Sequence, residues 1–155
     1  MVWTHFWDMS SGGTKKLEWP HIFINTDQES AERVFCSRLG RDPGSISCEC
    51  CGPDYVITEY DTLEVATAYL RGLRHVSPLA DDRFFSASHE ERLRSLRSSR
   101  YLEPHEEIPE GWSADIRGEE RGITLNQLFG RGDALFIWEE DIEDHETMAE
   151  IPEYP

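Results

Sequence analysis

His21-Ile22-Phe23-Ile24-Asn25-Thr26-Asp27-Gln28-Glu29-Ser30-Ala31-Glu32-Arg33-Val34-Phe35-Cys36-Ser37-Arg38-Leu39-Gly40 is the stretch that decides how this chain folds. Its opening apolar run, set off by Pro20, reads as a short strand. Thr26 with Glu29 three residues on has the pattern of a capping box, which satisfies orphan N–H groups at a helix start. From there Ala31, Val34, Phe35 and Leu39 recur at three- and four-residue spacing, one inward stripe of a helix. Gly40 stands where a helix ends in a left-handed residue. A strand feeding an amphipathic helix calls for a sheet with helices laid on it.

Working outward, Val2-Trp3-Thr4-His5-Phe6-Trp7-Asp8-Met9 is aromatic-rich and reads as a strand covered on both faces. Ser10-Ser11-Gly12-Gly13 breaks it. The loop running on through Lys15 and Lys16 matches no phosphate-binding pattern and reads as a connection between strands. Beyond Gly40, Ser45–Cys50 and Tyr55–Tyr60 read as the arms of a hairpin turning at Gly52-Pro53-Asp54. A second helix is expected from Asp61 or Thr62, carried by Leu63, Ala66, Tyr69, Leu70 and Leu73. A third is expected from Ser86 or Ser88 to about Arg100, with Leu93 and Leu96 inward. The region of Pro104, Pro109 and Gly111 reads as irregular, Ile123–Phe129 as a short helix and Ala134–Trp138 as a last strand. The expected fold class is α+β: a single domain over 1–138, with a mixed or antiparallel sheet and about three helices mainly on one face, followed by an acidic tail over 139–155.

Cysteine and histidine chemistry is concentrated in one place. Cys48, Cys50 and Cys51 lie within four residues and are closed by Gly52 and Pro53. Cys48 and Cys51 have the spacing of half a zinc site, which Cys36 or a histidine elsewhere would have to complete. Buried or turn-packed thiols are the competing structural reading. A nucleophilic thiol fits poorly, because Glu49 and Asp54 place negative charge beside it and oppose the thiolate. His89-Glu90-Glu91-Arg92 starts like a zinc-protease helix, but Leu93 stands where the second histidine belongs.

Charge is distributed unevenly. The net charge is −16, and residues 139–155 hold eight acids with no Lys or Arg. Seven arginines and no lysine lie between Arg71 and Arg100, a locally basic stretch that the acidic end could meet. Direct nucleic-acid binding is disfavoured, since the overall field repels polyanions. No run of about 20 apolar residues exists to span a bilayer, and the N-terminus lacks a leader pattern, so the expectation is a cytoplasmic protein with no membrane partner.

Phe6-Trp7-Asp8-Met9-Ser10-Ser11-Gly12-Gly13 and Cys48-Glu49-Cys50-Cys51-Gly52-Pro53-Asp54-Tyr55, with the stretch Leu125 to Ile137, resemble a family of small proteins encoded by bacteriophages and prophages. The resemblance carries over no catalytic residues. It implies an acidic accessory protein that occupies a nucleic-acid or substrate surface of a host or defence protein, for example a CRISPR effector. On that expectation Glu139, Glu140, Asp141, Glu143, Asp144 and Glu146 face a basic partner, with Trp112 and Tyr154 as aromatic anchors. Two alternatives stay open. One is a small zinc- or thiol-dependent enzyme or zinc-stabilised accessory protein built around Cys48, Cys50 and Cys51, with Cys48, Cys51 and Cys36 as the metal ligands. The other is a regulatory component whose tail folds back on Arg92–Arg100.

Overall fold

The computed structural model describes residues 2–10, 13, 15–50, 52–78, 86–116 and 122–148. The fold is α+β, with seven strands in a mixed sheet and an antiparallel sheet, and five α-helices, among the described residues. The chain divides into two compact units, Met1–Ala66 together with Phe129–Pro155, and Thr67–Leu128.

The first unit is built on a four-stranded sheet. Its strands are β1 (Trp3–Asp8), β2 (His21–Ile24), β3 (Tyr55–Tyr60) and β7 (Ala134–Ile137), in the order β3-β1-β2-β7. β1 is antiparallel to both neighbours, whereas β7 runs parallel to β2. Alternation along the strands sends Phe6, Ile22, Ile24, Tyr55 and Ile137 to the face on which α1 (Gln28–Leu39) lays Ala31, Val34 and Phe35. The other face is an aromatic ladder. Trp7 stacks on His21, His5 on Phe23 and Phe23 on Phe136, while Phe129 meets Phe136 and Trp138 edge-on, and Trp138 meets Trp3.

The cap of α1 lies one residue later than expected. Asp27, not Thr26, accepts the Ser30 N–H (2.8 Å), and the Thr26 N–H is drawn back to the Ile24 carbonyl. Glu29 is thereby released from capping and pairs with Arg33 one turn on (3.0 Å). Gly40 ends the helix at φ +67°, its N–H on the Cys36 carbonyl, as the sequence implied.

Three local expectations are corrected. Ser45–Cys50 is no hairpin arm: Tyr55–Tyr60 pairs with β1 instead, and among the described residues of the loop an isolated Cys48–Gly52 bridge is all that forms. The cause is Asp54, whose carboxylate draws Ser45 and Ser47 into a closed loop. The second helix stops after α2 (Leu63–Ala66), the apolar spacing continuing instead through turns to a left-handed Gly72. In α3 (His89–Ser98), capped by Ser88, it is Ser95 that is buried, while Leu93 and Leu96 are 40% and 58% exposed.

The second unit carries a sheet that the prolines at 104 and 109 hid: β4 (Arg74–Ser77) between β5 (Arg100–Leu102) and β6 (Ser113–Ile116), both antiparallel to it. Its Arg71 is fully buried. That guanidinium grips Glu103 with two bonds (2.7 and 3.0 Å) and Thr67, and the Arg71 carbonyl takes the N–H groups of Gly122 and Ile123. Arg74 is spent on the carbonyls of Glu103 and Glu106. Neither arginine extends a surface patch, since both are consumed in holding a proline-rich loop that cannot supply its own ladder. Arg83 lies outside the described residues. α4 (Leu125–Phe129) opens on a reciprocal pair, Thr124 N–H to Gln127 Oε1 and Gln127 N–H to Thr124 Oγ1.

Candidate protein-binding surface

β7 is an edge strand, and the described chain beyond it, as far as Met148, returns to the same unit. After Trp138 a 3-10 turn (Glu139–Asp141) and α5 (Asp144–Met148) bring the acidic segment back against α1. Two arginines of α1 hold it. Arg38 bonds both oxygens of Glu146 (2.5 and 3.1 Å) and the Asp141 carbonyl, and Arg33 donates to the Thr147 carbonyl (3.1 Å). Glu146 also accepts the Glu143 N–H (3.0 Å). Burial alone would raise the Glu146 carboxyl; the Arg38 and Glu143 bonds outweigh it and hold it below the usual carboxylate value.

The expected partner-facing acids therefore separate into two kinds. Glu139, Glu140, Asp141, Glu143 and Asp144 are exposed, whereas Glu146 is 4% exposed and fastens the segment to α1. Trp112 is half-buried in the second unit, its N–H on the Pro109 carbonyl (3.2 Å), and Tyr154 lies outside the described residues. As far as Met148, the arginines that the acidic segment is seen to meet are Arg33 and Arg38 of α1.

Between α1, β7 and this segment opens a groove of about 570 Å³, lined by Arg38, Leu39, Leu135, Phe136, Ile137, Asp141 and Glu143. Its floor is apolar and its rim is acidic. Sequence reasoning did not single out Arg38 or Leu39 as site residues, because their only signal was a place in the last turn of α1. Nor did it find the groove, whose walls lie about 100 residues apart in the chain.

The thiols occupy other positions. Cys48 and Cys50, rather than Cys48 and Cys51, are the described pair, their Sγ atoms 2.8 Å apart on the turn; Cys51 lies outside the described residues. Cys36 is buried in α1, and burial together with Asp42 and Glu32 pushes its thiol up to about 11. Among the described residues no three His, Cys, Asp or Glu side chains converge as a metal-ion set.

One further titratable pair lies on the aromatic face. His5 Nε2 and His21 Nδ1 are 2.9 Å apart, one donating and one accepting. Burial, with His21 beside it, pushes His5 down to about 3; burial pushes His21 down to about 4 against the pull of Asp133. Both imidazoles are neutral at physiological pH. They satisfy each other inside the ladder.

Fold and surface together define an acidic α+β protein whose mixed sheet exposes one edge beside a cluster of carboxylates. Set against protein-family models, curated proteins and solved structures, the chain matches none of them. No helix among the described residues is long and apolar enough to cross a membrane.

Proposed function

We propose that this chain is a non-enzymatic binding protein of the phage-accessory type that inhibits or modulates a host or defence protein, for example a CRISPR effector, by covering a basic surface on it. The observation that carries the reading is the presentation of Glu139, Glu140, Asp141, Glu143 and Asp144. All five are exposed, and the segment that bears them is anchored through Glu146 rather than trailing free. Anchoring matters because ordered charges lose less entropy on binding than charges on a loose chain. Opposite fields steer the encounter, so the association rate, more than the dissociation rate, should depend on salt.

The test is the association rate with a captured partner at rising ionic strength, for wild type and for E139Q/E140Q/D141N/E143Q/D144N. The expected outcome is a fall of about tenfold or more in wild-type rate between roughly 50 and 500 mM salt, strongly reduced in the neutralised variant. Equal, salt-insensitive rates would discard the reading.

A second reading, a zinc-stabilised or thiol-dependent protein, rests on the gathering of Cys48 and Cys50 on one turn. Elemental analysis of the purified protein beside Cys48→Ser and Cys51→Ser separates it from the first: stoichiometric zinc lost in both variants supports it, and zinc-free wild type removes the zinc form.

A further inference from the structure

The Asn25 N–H donates to the Ile137 carbonyl (2.9 Å), and the Glu139 N–H donates to Asn25 Oδ1 (3.2 Å). Residues 137 and 139 thus aim their backbone groups at the β2 side of the strand, and Leu135, two residues earlier, does the same. By the same alternation Ala134 and Phe136 direct their N–H and C=O groups away from β2, at the sheet's open edge. Among the described residues nothing pairs with them. Unpaired strand backbone is a template for another strand.

The groove lies along that same edge, and its lining supplies what a bare edge lacks. Leu39, Leu135 and Ile137 make an apolar floor, and the Asp141 and Glu143 carboxylates stand on the rim. The only cation in the lining, Arg38, is engaged by Glu146 and the Asp141 carbonyl. The charge left facing outward is negative.

We infer that an extended, Lys- or Arg-bearing segment of the partner adds as a strand to β7, bonding the backbone of Ala134 and Phe136, placing an apolar side chain on Leu39, Leu135 and Ile137, and setting its cations against Asp141 and Glu143. This rests on the reading of the chain as an acidic binding protein and names the site and the recognition mode. Main-chain bonds hold the segment. Alternate side chains choose it, an apolar one for the floor and basic ones for the rim.

The probe is a short peptide alternating Lys with Val or Leu, with two controls: the same peptide N-methylated at alternate residues, and one with Glu in place of Lys. Affinity is followed by fluorescence anisotropy with the full chain, and amide exchange is read at Ala134 and Phe136. The expected result is binding of the Lys peptide, slowed exchange at both amides, and a loss of about tenfold or more for the N-methylated peptide, which cannot complete the ladder. The Glu peptide should not bind. Ala134→Pro removes one outward donor at the first residue of an edge strand, where proline is tolerated, and should weaken binding similarly. Asp141→Asn with Glu143→Gln should cost about tenfold at low salt and flatten the salt dependence.

Equal binding of the methylated and unmethylated peptides, with unprotected amides, would overturn strand addition. If the neutralised variant still lost affinity in that case, the acidic-surface reading would survive without it. Failure of the Lys peptide to bind at any salt also overturns the proposal, while the association-rate test on the captured partner judges the broader reading independently.

Discussion

Asp54 and Tyr55 are neighbours, both buried, with opposite hydrogen-bond fortunes. Asp54 accepts from Ser45 Oγ, Ser47 N and Ser47 Oγ, each at 2.9 Å, with Arg41 at 3.7 Å. Burial would raise its carboxyl, but these bonds outweigh it and hold it below the ordinary value. Asp54→Asn trades an acceptor-only group for an amide facing donors, at an expected cost of about 2 kcal/mol in urea unfolding, with a loosened 45–54 loop. The Tyr55 hydroxyl, by contrast, is buried with no partner among the described residues. Tyr55→Phe should therefore be neutral or stabilise by about 1 kcal/mol, and a clear loss of stability would reveal an unseen partner for that oxygen.

His5 and His21 set the acid limb of stability. The unfolded chain takes up these protons near pH 6.5. The folded imidazoles do so only at about 3 and about 4. In between, the unfolded state binds more protons, so stability falls as pH drops from about 6.5 toward 4, by at most about 1.4 kcal/mol per pH unit for each histidine. Asp54 and Glu146 act in a lower window. Their depressed folded values mean that the stability they contribute is present above about pH 4 and lost as they protonate below it. Thermal unfolding followed from pH 7 to 4 should show the first decline. In His5→Phe/His21→Phe that decline should flatten, because neither ring is left to titrate.

At the scale of elements, apolar spacing identified α1 correctly and misjudged α3. Both helices show leucine, valine or phenylalanine at helical intervals, yet only α1 meets a sheet face along its stripe. Phe35 is fully buried and touches Phe6 and Tyr55, so Phe35→Ala should cost about 3–5 kcal/mol. Leu96→Glu on α3 should stay within about 0.5 kcal/mol of wild type, since its side chain is already 58% exposed. Chemical denaturation of the two variants checks the contrast. Periodicity reports that a helix has a face, and only the neighbouring element decides whether that face is used. The same reasoning covers Ser45–Cys50, where strand-like composition lost to a single buried carboxylate gathering two serines.

For the whole molecule, a charge of −16 acts on folding and on binding in opposite senses. Self-repulsion of the compact state weakens as salt screens it, whereas attraction to a basic partner weakens too. Added salt from roughly 50 to 500 mM should therefore raise the unfolding temperature while slowing partner association, a crossed pattern that differential scanning fluorimetry and kinetics on one preparation can check.

What the amino-acid order determined by itself was local. It specified the strands at Trp3–Asp8, His21–Ile24 and Ala134–Ile137, the helix ending at Gly40, and the acidic excess beyond Glu139, since alternation, stop signals and charge are written in neighbouring residues. Tertiary structure alone decided that β7 lies parallel to β2 at an edge, that Arg71 is interior, and that Glu146 serves Arg38 while its neighbours face solvent. Each of these depends on groups separated by tens of residues or more. Such partners become neighbours only after the core has closed, and a charged side chain carries no mark of whether the group it will meet is water or an opposite charge.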